Sequence, residues 1–168
     1  TNHFFLRAAA AGAGAPGITR MRSIAEPLAI LYSLALNGNG EEINPALMTG
    51  RYQYRLRGAA EEPLTSRYRG SAELGLSPEH PTLPSLLRGA GYHTALVGKW
   101  HLGFAPHFGP LKSGYQEFFG AMGGGLDYFT HQDSNGTHDL YDGDTQTHEV
   151  GYLTDLISDR AVRCIEAS

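Results

Sequence analysis

The sequence has little cysteine, no long hydrophobic run and no excess of positive charge. Cys164 is alone, which excludes an intrachain disulfide framework and a cysteine-rich zinc site. No window approaches the roughly 18 uninterrupted apolar residues of a transmembrane helix, so no membrane span is expected. Lysine and arginine number 13 against 17 aspartates and glutamates, for a formal net charge of -4. This balance argues against a nucleic-acid partner.

The chain does have enough apolar material for a core, and it is rich in loop-forming residues. Hydrophobic residues make up 41% of the 168 positions and charged residues 18%, which is typical of a folded chain with one domain. The 22 glycines and 9 prolines indicate that loops occupy much of the length. Both ends resemble cut ends, because the start lacks a signal-peptide pattern and the last helical pattern has no glycine or asparagine cap. We expect a fragment of a longer protein.

Local patterns in the first half predict short elements separated by loops. A short apolar run at residues 4–6 is consistent with a strand, and the apolar, helix-prone residues 24–36 predict a helix that ends in the Asn-Gly-Asn-Gly turn at 37–40. Residues 45–48 predict one helical turn. The basic and aromatic segment 51–68 is interpreted as a loop.

The second half carries clearer signals. Thr82 as a capping residue, an early proline and an apolar stripe predict a helix through Arg88, and residues 92–97 predict a strand. Residues 104–150 are rich in glycine, histidine and aspartate and predict no regular structure. A final helix places Cys164 on its apolar stripe, which predicts a small core residue and not a nucleophile.

Lys99 and His101 directly follow the predicted strand. Residues two apart in an extended segment point to the same side, with Trp100 directed oppositely into packing. In α/β folds ligands bind at the carboxyl ends of strands, where a lysine and a histidine can share one sulfate or phosphate. From spacing alone, the preferred explanation is an exposed lysine and a histidine that caps the strand, since Lys-x-His is a common pattern.

A second cluster of polar residues lies between residues 127 and 148. It contains His131, His138 and His148 together with five aspartates, Asp127, Asp133, Asp139, Asp142 and Asp144. Such side chains can hold a metal ion, but their spacing fits no metal-binding template. The preferred interpretation is a solvated, charged loop.

Several segments resemble the sulfatase family. GYHTALVGKWHLG at residues 91–103 resembles the second sulfatase signature, and PLKSGY at 110–115 followed by EFFG at 117–120 resembles the continuation in arylsulfatases. ALMTGR at 46–51 is similar to the tail of the first signature. The resemblance is good over residues 45–166 and poor over 1–44. Residues 1–168 are therefore expected to form the N-terminal part of a single sulfatase catalytic domain.

The resemblance implies a fold, a chemistry and a location. The fold would be α/β, an alkaline-phosphatase-like three-layer sandwich with a mostly parallel sheet, present only in its N-terminal portion. The activity would be hydrolysis of a sulfuric ester, a small molecule or a glycan, by a formylglycine nucleophile with calcium, in an extracytoplasmic compartment. Lys99 would bind sulfate and the nucleophile, and His101 would hydrogen-bond the hydrated aldehyde. His131 and His138 are candidate substrate-binding residues.

The sequence departs from the family pattern at the positions expected to supply the nucleophile and the calcium ligands. Counting back from the first signature places Gly40 at the cysteine that becomes formylglycine, and glycine cannot be oxidised to a side-chain aldehyde. The aspartate pair that would ligate calcium is replaced, most plausibly by Ala9 and Ala10. The chain as it stands is therefore predicted to be inactive.

Three interpretations remain open at the level of sequence. In the first, the chain is a sulfatase-like protein that has lost catalysis and serves as a binding or structural module. In the second, it is an ordinary sulfatase whose first forty or so residues are recorded wrongly, for example by a frame shift. The Ala/Gly/Arg-rich opening slightly favours the second interpretation. The third is a relative that cleaves phosphate esters, which the arylsulfatase-like residues 118–120 argue against.

Overall fold

The computed structural model describes residues 28–31 by their backbone and residues 45–52, 55–56 and 64–167 in full. The strand predicted at residues 4–6 and the turn predicted at 37–40 lie outside the described residues. None of the helices in the described ranges is long and apolar enough to cross a membrane.

The described residues form three α-helices and five strands. In order these are β1 (Leu28–Leu31), α1 (Pro45–Thr49), α2 (Leu83–Gly89), β2 (His93–Lys99), β3 (Glu117–Ala121), β4 (Leu140–Asp142), β5 (Thr145–Gln146) and α3 (Leu153–Glu166). Two 3-10 helices, Ser66–Tyr68 and Pro110–Ser113, lie in the connections.

The strands form one sheet in the spatial order β1-β2-β3-β4-β5. β1 pairs with β2 and β2 with β3 in parallel, whereas β4 and β5 are added in antiparallel fashion. Parallel neighbours require a crossover connection, and α1 and α2 lie in the one between β1 and β2. The predicted α/β class is confirmed, with a parallel centre and an antiparallel extension at one edge.

The helix predicted over residues 24–36 is wrong where the structure describes it, because residues 28–31 form β1. β1 is aligned with β2 from the Leu28–His93 pair to the Leu31–Leu96 pair. A short apolar run is compatible with a buried strand or a helix, and pairing with a neighbouring strand decides between them.

The prediction that residues 104–150 lack regular structure is also wrong. This segment contains β3, which is the middle strand of the sheet and pairs with β2, together with β4 and β5. The sequence of β3 does not alternate between polar and apolar residues, because Phe118 and Phe119 are both buried, one on each face of the sheet. By contrast, residues 51–68 contain a 3-10 helix and no α-helix or strand in their described parts, as predicted.

The two faces of the sheet bury two separate apolar clusters. Leu96 and Phe118 belong to the first cluster, to which α1 contributes Met48. Val97 and Phe119 belong to the second, which α3 covers with its buried residues Leu153, Ala161 and Cys164. The sheet is thus the middle of three layers, and the prediction that Cys164 is a small core residue is confirmed.

Local capping explains where α2 begins. The Thr82 side chain accepts a hydrogen bond from the Ser85 amide at 3.2 Å, and the Ser85 hydroxyl oxygen accepts one from the Thr82 amide at 2.8 Å. This reciprocal cap satisfies donors that have no partner within the helix, and Pro84 occupies the first turn, where no amide hydrogen is needed. The sequence-based prediction of this helix is confirmed.

Candidate functional site

Lys99 lies at the carboxyl edge of the parallel centre of the sheet. It is half-buried, is the last residue of β2 and is aligned with Ala121, the last residue of β3. Two further amides continue the ladder: Trp100 donates to the Ala121 carbonyl at 2.9 Å and His101 to the Met122 carbonyl at 3.0 Å. Both predicted residues therefore lie at the sheet edge where α/β proteins bind ligands.

The extended conformation of β2 does not include His101. This residue has a φ of 57°, in the left-handed region, so the alternation that would direct it to the same side as Lys99 does not apply. That part of the prediction is wrong, because the chain turns after the last strand residue. Trp100 does pack inward as predicted, fully buried with its indole N–H donating to the Phe108 carbonyl at 2.7 Å.

The imidazole of His101 is buried and held in one orientation. Only 4% of the residue is exposed, and Nε2 lies 2.9 Å from the carbonyl oxygen of Leu64. Because a carbonyl oxygen only accepts hydrogen bonds, Nε2 is the donor in this pair. The backbone at Gly124 lies against the ring so closely that a Cβ built there would be 2.7 Å from Nε2. The loop after β3 thus covers the imidazole on one side.

Replacing Gly124 with alanine is expected to push the His101 ring away from the Leu64 carbonyl. Losing this buried hydrogen bond should cost about 1–3 kcal/mol of unfolding free energy. Urea denaturation and side-chain ¹⁵N spectra of the histidines measure the two effects. Gly125→Ala is the matched control, since no atom lies within 4 Å of its Cβ position. Identical histidine spectra for the two variants would contradict the packing described for Gly124.

A buried ion pair fixes the loop that covers His101. Asp139 is fully buried; its Oδ2 accepts from the Gly123 amide at 2.8 Å and its Oδ1 from the Arg69 guanidinium at 2.6 Å. Arg69 also donates to Asp133 at 3.3 Å. The guanidinium therefore joins a segment before α2 to the connection between β3 and β4.

Burial and hydrogen bonding together set the pKa values of Arg69 and its two carboxylate partners. Burial raises the pKa of Asp139 above its ordinary value, against the opposing effect of Arg69. Burial also acts to raise the pKa of Asp133, but hydrogen bonds from the amides of Thr137 and Asn135 and from Arg69 outweigh it, so that pKa is lowered. Desolvation acts to lower the pKa of Arg69, but its carboxylate partners outweigh that effect and raise the pKa. The guanidinium thus stays protonated beside both carboxylates.

The three histidines of the polar segment lie together. The ring centroids of His131 and His138 are 6.1 Å apart, and those of His138 and His148 are 4.3 Å apart. Nε2 of His138 is 2.6 Å from the Thr147 carbonyl. His131 is only 2% exposed, and its Nε2 has no hydrogen-bond partner among the described residues. The interpretation of this segment as a solvated loop is therefore wrong for His131 and Asp139.

The residues present do not fit a calcium site. In the described ranges, no group of three or more histidine, cysteine, aspartate or glutamate side chains is arranged to hold a metal ion. Ala9 and Ala10, which stand at the expected aspartate positions, lie outside the described residues, and an alanine side chain has no oxygen to offer. Gly40 also lies outside them.

Arg69 and Gly124 are the residues that sequence analysis misses at this site. Arg69 lies just after the segment 51–68 that is interpreted as a loop, and its carboxylate partner Asp139 is 70 positions away. Gly124 is one of three consecutive glycines, a pattern that indicates flexibility. The one available signal is Asp139, which belongs to the histidine- and aspartate-rich segment already singled out.

The fold and the site together define a class of protein. It is an α/β protein whose parallel strands end in a half-buried amine and an oriented, buried imidazole, the groups expected to face a polar or anionic ligand.

Comparison with known proteins narrows this class to one family. The sulfatase family profile matches residues 28–168, and the chain belongs to that family. N-acetylgalactosamine-6-sulfatase from Sus scrofa is 61% identical over 44 residues, which cover 26% of this chain and 8% of that protein. Arylsulfatase J from Mus musculus is 46% identical over 90 residues, which cover 49% of this chain and 15% of that protein.

Solved structures agree on the fold. A crystal structure of Ps i-CgsB in complex with k-i-k-neocarrahexaose superposes with a TM-score of 0.63 and 29% sequence identity, covering 81% of this chain and 32% of that chain. The fold is accordingly alkaline-phosphatase-like. The chain spans about a third of the solved relative and a smaller share of the curated ones.

Proposed function

We propose that this chain is the N-terminal part of a sulfuric ester hydrolase domain, in which Lys99 and His101 contact the sulfate group of the substrate. Membership of the sulfatase family over residues 28–168 carries the proposal. The position of both residues at the end of β2 supports it, as does the fixed imidazole of His101. The ammonium of Lys99 would offset the sulfate charge. Because Nε2 of His101 donates to the Leu64 carbonyl, the imidazole would donate a hydrogen bond or a proton to the reacting group through Nδ1, in its protonated form.

Hydrolysis also needs a nucleophile, which this sequence lacks. In a family member with formylglycine at this position, one hydroxyl of the hydrated aldehyde would attack sulfur and the ester oxygen would leave as the alcohol. The second hydroxyl would then lose its proton as sulfate leaves, and water would hydrate the aldehyde again. Gly40 has no side-chain carbon to oxidise, so the chain as written is proposed to be inactive. No step is assigned to calcium, because Ala9 and Ala10 cannot ligate it.

The proposed substrate is a sulfated glycan, and the proposed location of the protein is an extracytoplasmic compartment. The structural relative solved with a carrageenan-type oligosaccharide supports this substrate class. His131 and His138 remain proposed substrate-binding residues. Since His131 is buried, a direct contact would require the loop around it to open, whereas half-buried His138 is nearer to solvent.

The test uses the complete protein with the Cys-x-Pro-Ser-Arg signature of the family restored by Gly40→Cys, Glu42→Pro, Ile43→Ser and Asn44→Arg, and with aspartates at positions 9 and 10. It is produced in a host that converts the cysteine to formylglycine. Turnover of 4-nitrophenyl sulfate should then appear, and adding Lys99→Ala should lower kcat/KM by about 100-fold or more, as expected for losing a charge beside the transferred group. Lys112→Ala is the matched control, because Lys112 is the chain's other lysine and is exposed on a 3-10 helix. Equal activity of the two lysine variants would remove Lys99 from the site.

A non-catalytic binding or structural module is the second candidate. It is favoured by the missing nucleophile at position 40 and by the lack of a metal-ligand group among the described residues. If the restored protein folds and binds a sulfated glycan but turns over no sulfate ester, this candidate replaces the first. Turnover of 4-nitrophenyl phosphate in place of the sulfate would instead indicate a phosphate-ester hydrolase.

A further inference from the structure

A cationic cavity lies directly after α1. It has a volume of about 300 Å³ and is lined by Gly50, Arg51, Tyr52 and Arg55. This volume is at the lower end of the range for small-molecule sites. Neither Lys99 nor His101 is among its lining residues.

The backbone explains why two guanidinium groups meet at one cavity. Gly50 ends α1 with a φ of 67°, and its amide donates to the Ala46 carbonyl at 2.7 Å, so the chain reverses immediately after the helix. The Arg55 amide donates to the Tyr52 carbonyl at 2.9 Å. This bond holds Arg55 beside Tyr52, and both line the same cavity as Arg51.

Within the part of the chain that the structure describes, no carboxylate pairs with the two arginines of this cavity. Both arginines are exposed, although the chain as a whole carries a net charge of -4. A guanidinium presents a planar fork of N–H donors that matches the oxygens of a sulfate or phosphate group. Tyr52 is 77% exposed, which leaves its ring available to stack against a flat or sugar-like body.

From these observations we propose that this cavity binds a sulfate or phosphate group carried on a ring. Arg51 and Arg55 hold the anion, and Tyr52 contacts the ring that bears it. The assignment does not depend on catalysis at Lys99 and His101, so it is tested on the chain as it stands.

The experiment follows the arginine Nε–H signals of the 168-residue chain by NMR at constant ionic strength. Inorganic sulfate, inorganic phosphate and glucose 6-sulfate are the probes. We expect saturable shifts of the Arg51 and Arg55 signals with dissociation constants in the millimolar range, roughly 1–10 mM for inorganic sulfate. The sulfated sugar should bind about fivefold tighter because of Tyr52. Inorganic phosphate distinguishes a general oxyanion site from one that prefers sulfate.

Variants separate a defined site from general attraction of anions. Arg51→Gln and Arg55→Gln should each weaken binding about tenfold, and Tyr52→Ser should remove only the advantage of the sulfated sugar. Arg88→Gln is the matched control, since Arg88 is an exposed arginine of α2 that does not line the cavity. Shifts that do not saturate, or an equal loss in Arg88→Gln, would overturn the proposal. Arg51→Lys, which keeps the charge and loses the fork, should give an intermediate loss.

Discussion

Gly120→Ala is expected to destabilise the chain by several kcal/mol, on the order of 4 kcal/mol, a large part of the stability of an ordinary domain. Gly120 is in the centre of β3 with a φ of 145°, which residues with a side chain rarely adopt, and it is aligned with Gly98 of β2. A Cβ at this position would overlap the Gly98 carbonyl oxygen and lie 2.6 Å from its carbonyl carbon. Backbone atoms in the centre of a sheet cannot move aside as a flexible side chain can, so the two strands must separate.

The control for this substitution is Gly89→Ala. Gly89 is the last residue of α2, its φ is not positive, and no atom lies within 4 Å of its Cβ position. Alanine should therefore be neutral or stabilising there, by up to about 1 kcal/mol, because it restricts the unfolded chain. Urea denaturation followed by circular dichroism measures both variants. If the two midpoints move by similar amounts, the close contact between Gly98 and Gly120 is not present in the folded protein.

Arg69→Met is expected to cost about 3–5 kcal/mol, because it leaves the carboxylate of Asp139 buried without its cation. The carboxylate would keep its hydrogen bond from the Gly123 amide but lose its charge partner. Its pKa should rise further, since burial already raises it. When the pKa of a carboxyl group is higher in the folded state than in the unfolded state, the folded protein loses stability as pH increases from the unfolded-state pKa to the folded-state pKa. The stability deficit of the variant should therefore shrink when the solution is acidified.

Arg160→Met is the matched control for Arg69→Met. The side chains of Arg160 and Arg69 are 23% and 21% exposed. The carboxylate partners of Arg160, Asp142 and Glu117, are 45% and 43% exposed, whereas Asp139, the nearest partner of Arg69, is fully buried. An exposed pair contributes at most about 1 kcal/mol, so this variant should remain close to the parent. Adding Asp139→Asn to Arg69→Met should recover part of the lost stability, because it removes the unpaired charge. A loss from Arg69→Met no larger than that from Arg160→Met, at neutral pH, would show that the buried pair is not formed.

The elements that sequence analysis predicts correctly have signals within a few residues. For α2 these are Thr82 as its cap and an early proline, and for α3 an apolar stripe that includes Cys164. β2 also has a local signal, because its run of apolar residues lies between Gly91 and Gly98. The resemblance to the sulfatase signatures is local in the same sense, and the family profile bears it out over residues 28–168.

The elements predicted wrongly depend on partners that are distant in sequence. β1 is a strand because it lies beside β2, more than sixty residues later, and β3 is a strand because it adds to the other side of β2. Neither needs an alternating pattern, since the centre of this sheet is buried on both faces. The left-handed conformation of His101 similarly belongs to a turn between packed layers and has no signature of its own in the sequence.

The amino-acid sequence alone determined the family, the candidate groups Lys99 and His101, and the prediction that Gly40 replaces the nucleophile, because each of these depends only on which residue stands at which position. The tertiary structure decided how the site is built: which carbonyl orients His101, which glycine covers it, and which buried ion pair holds that loop. These contacts join segments up to 70 residues apart. Their energies arise from burial and alignment, which exist only once the sheet has brought the segments together.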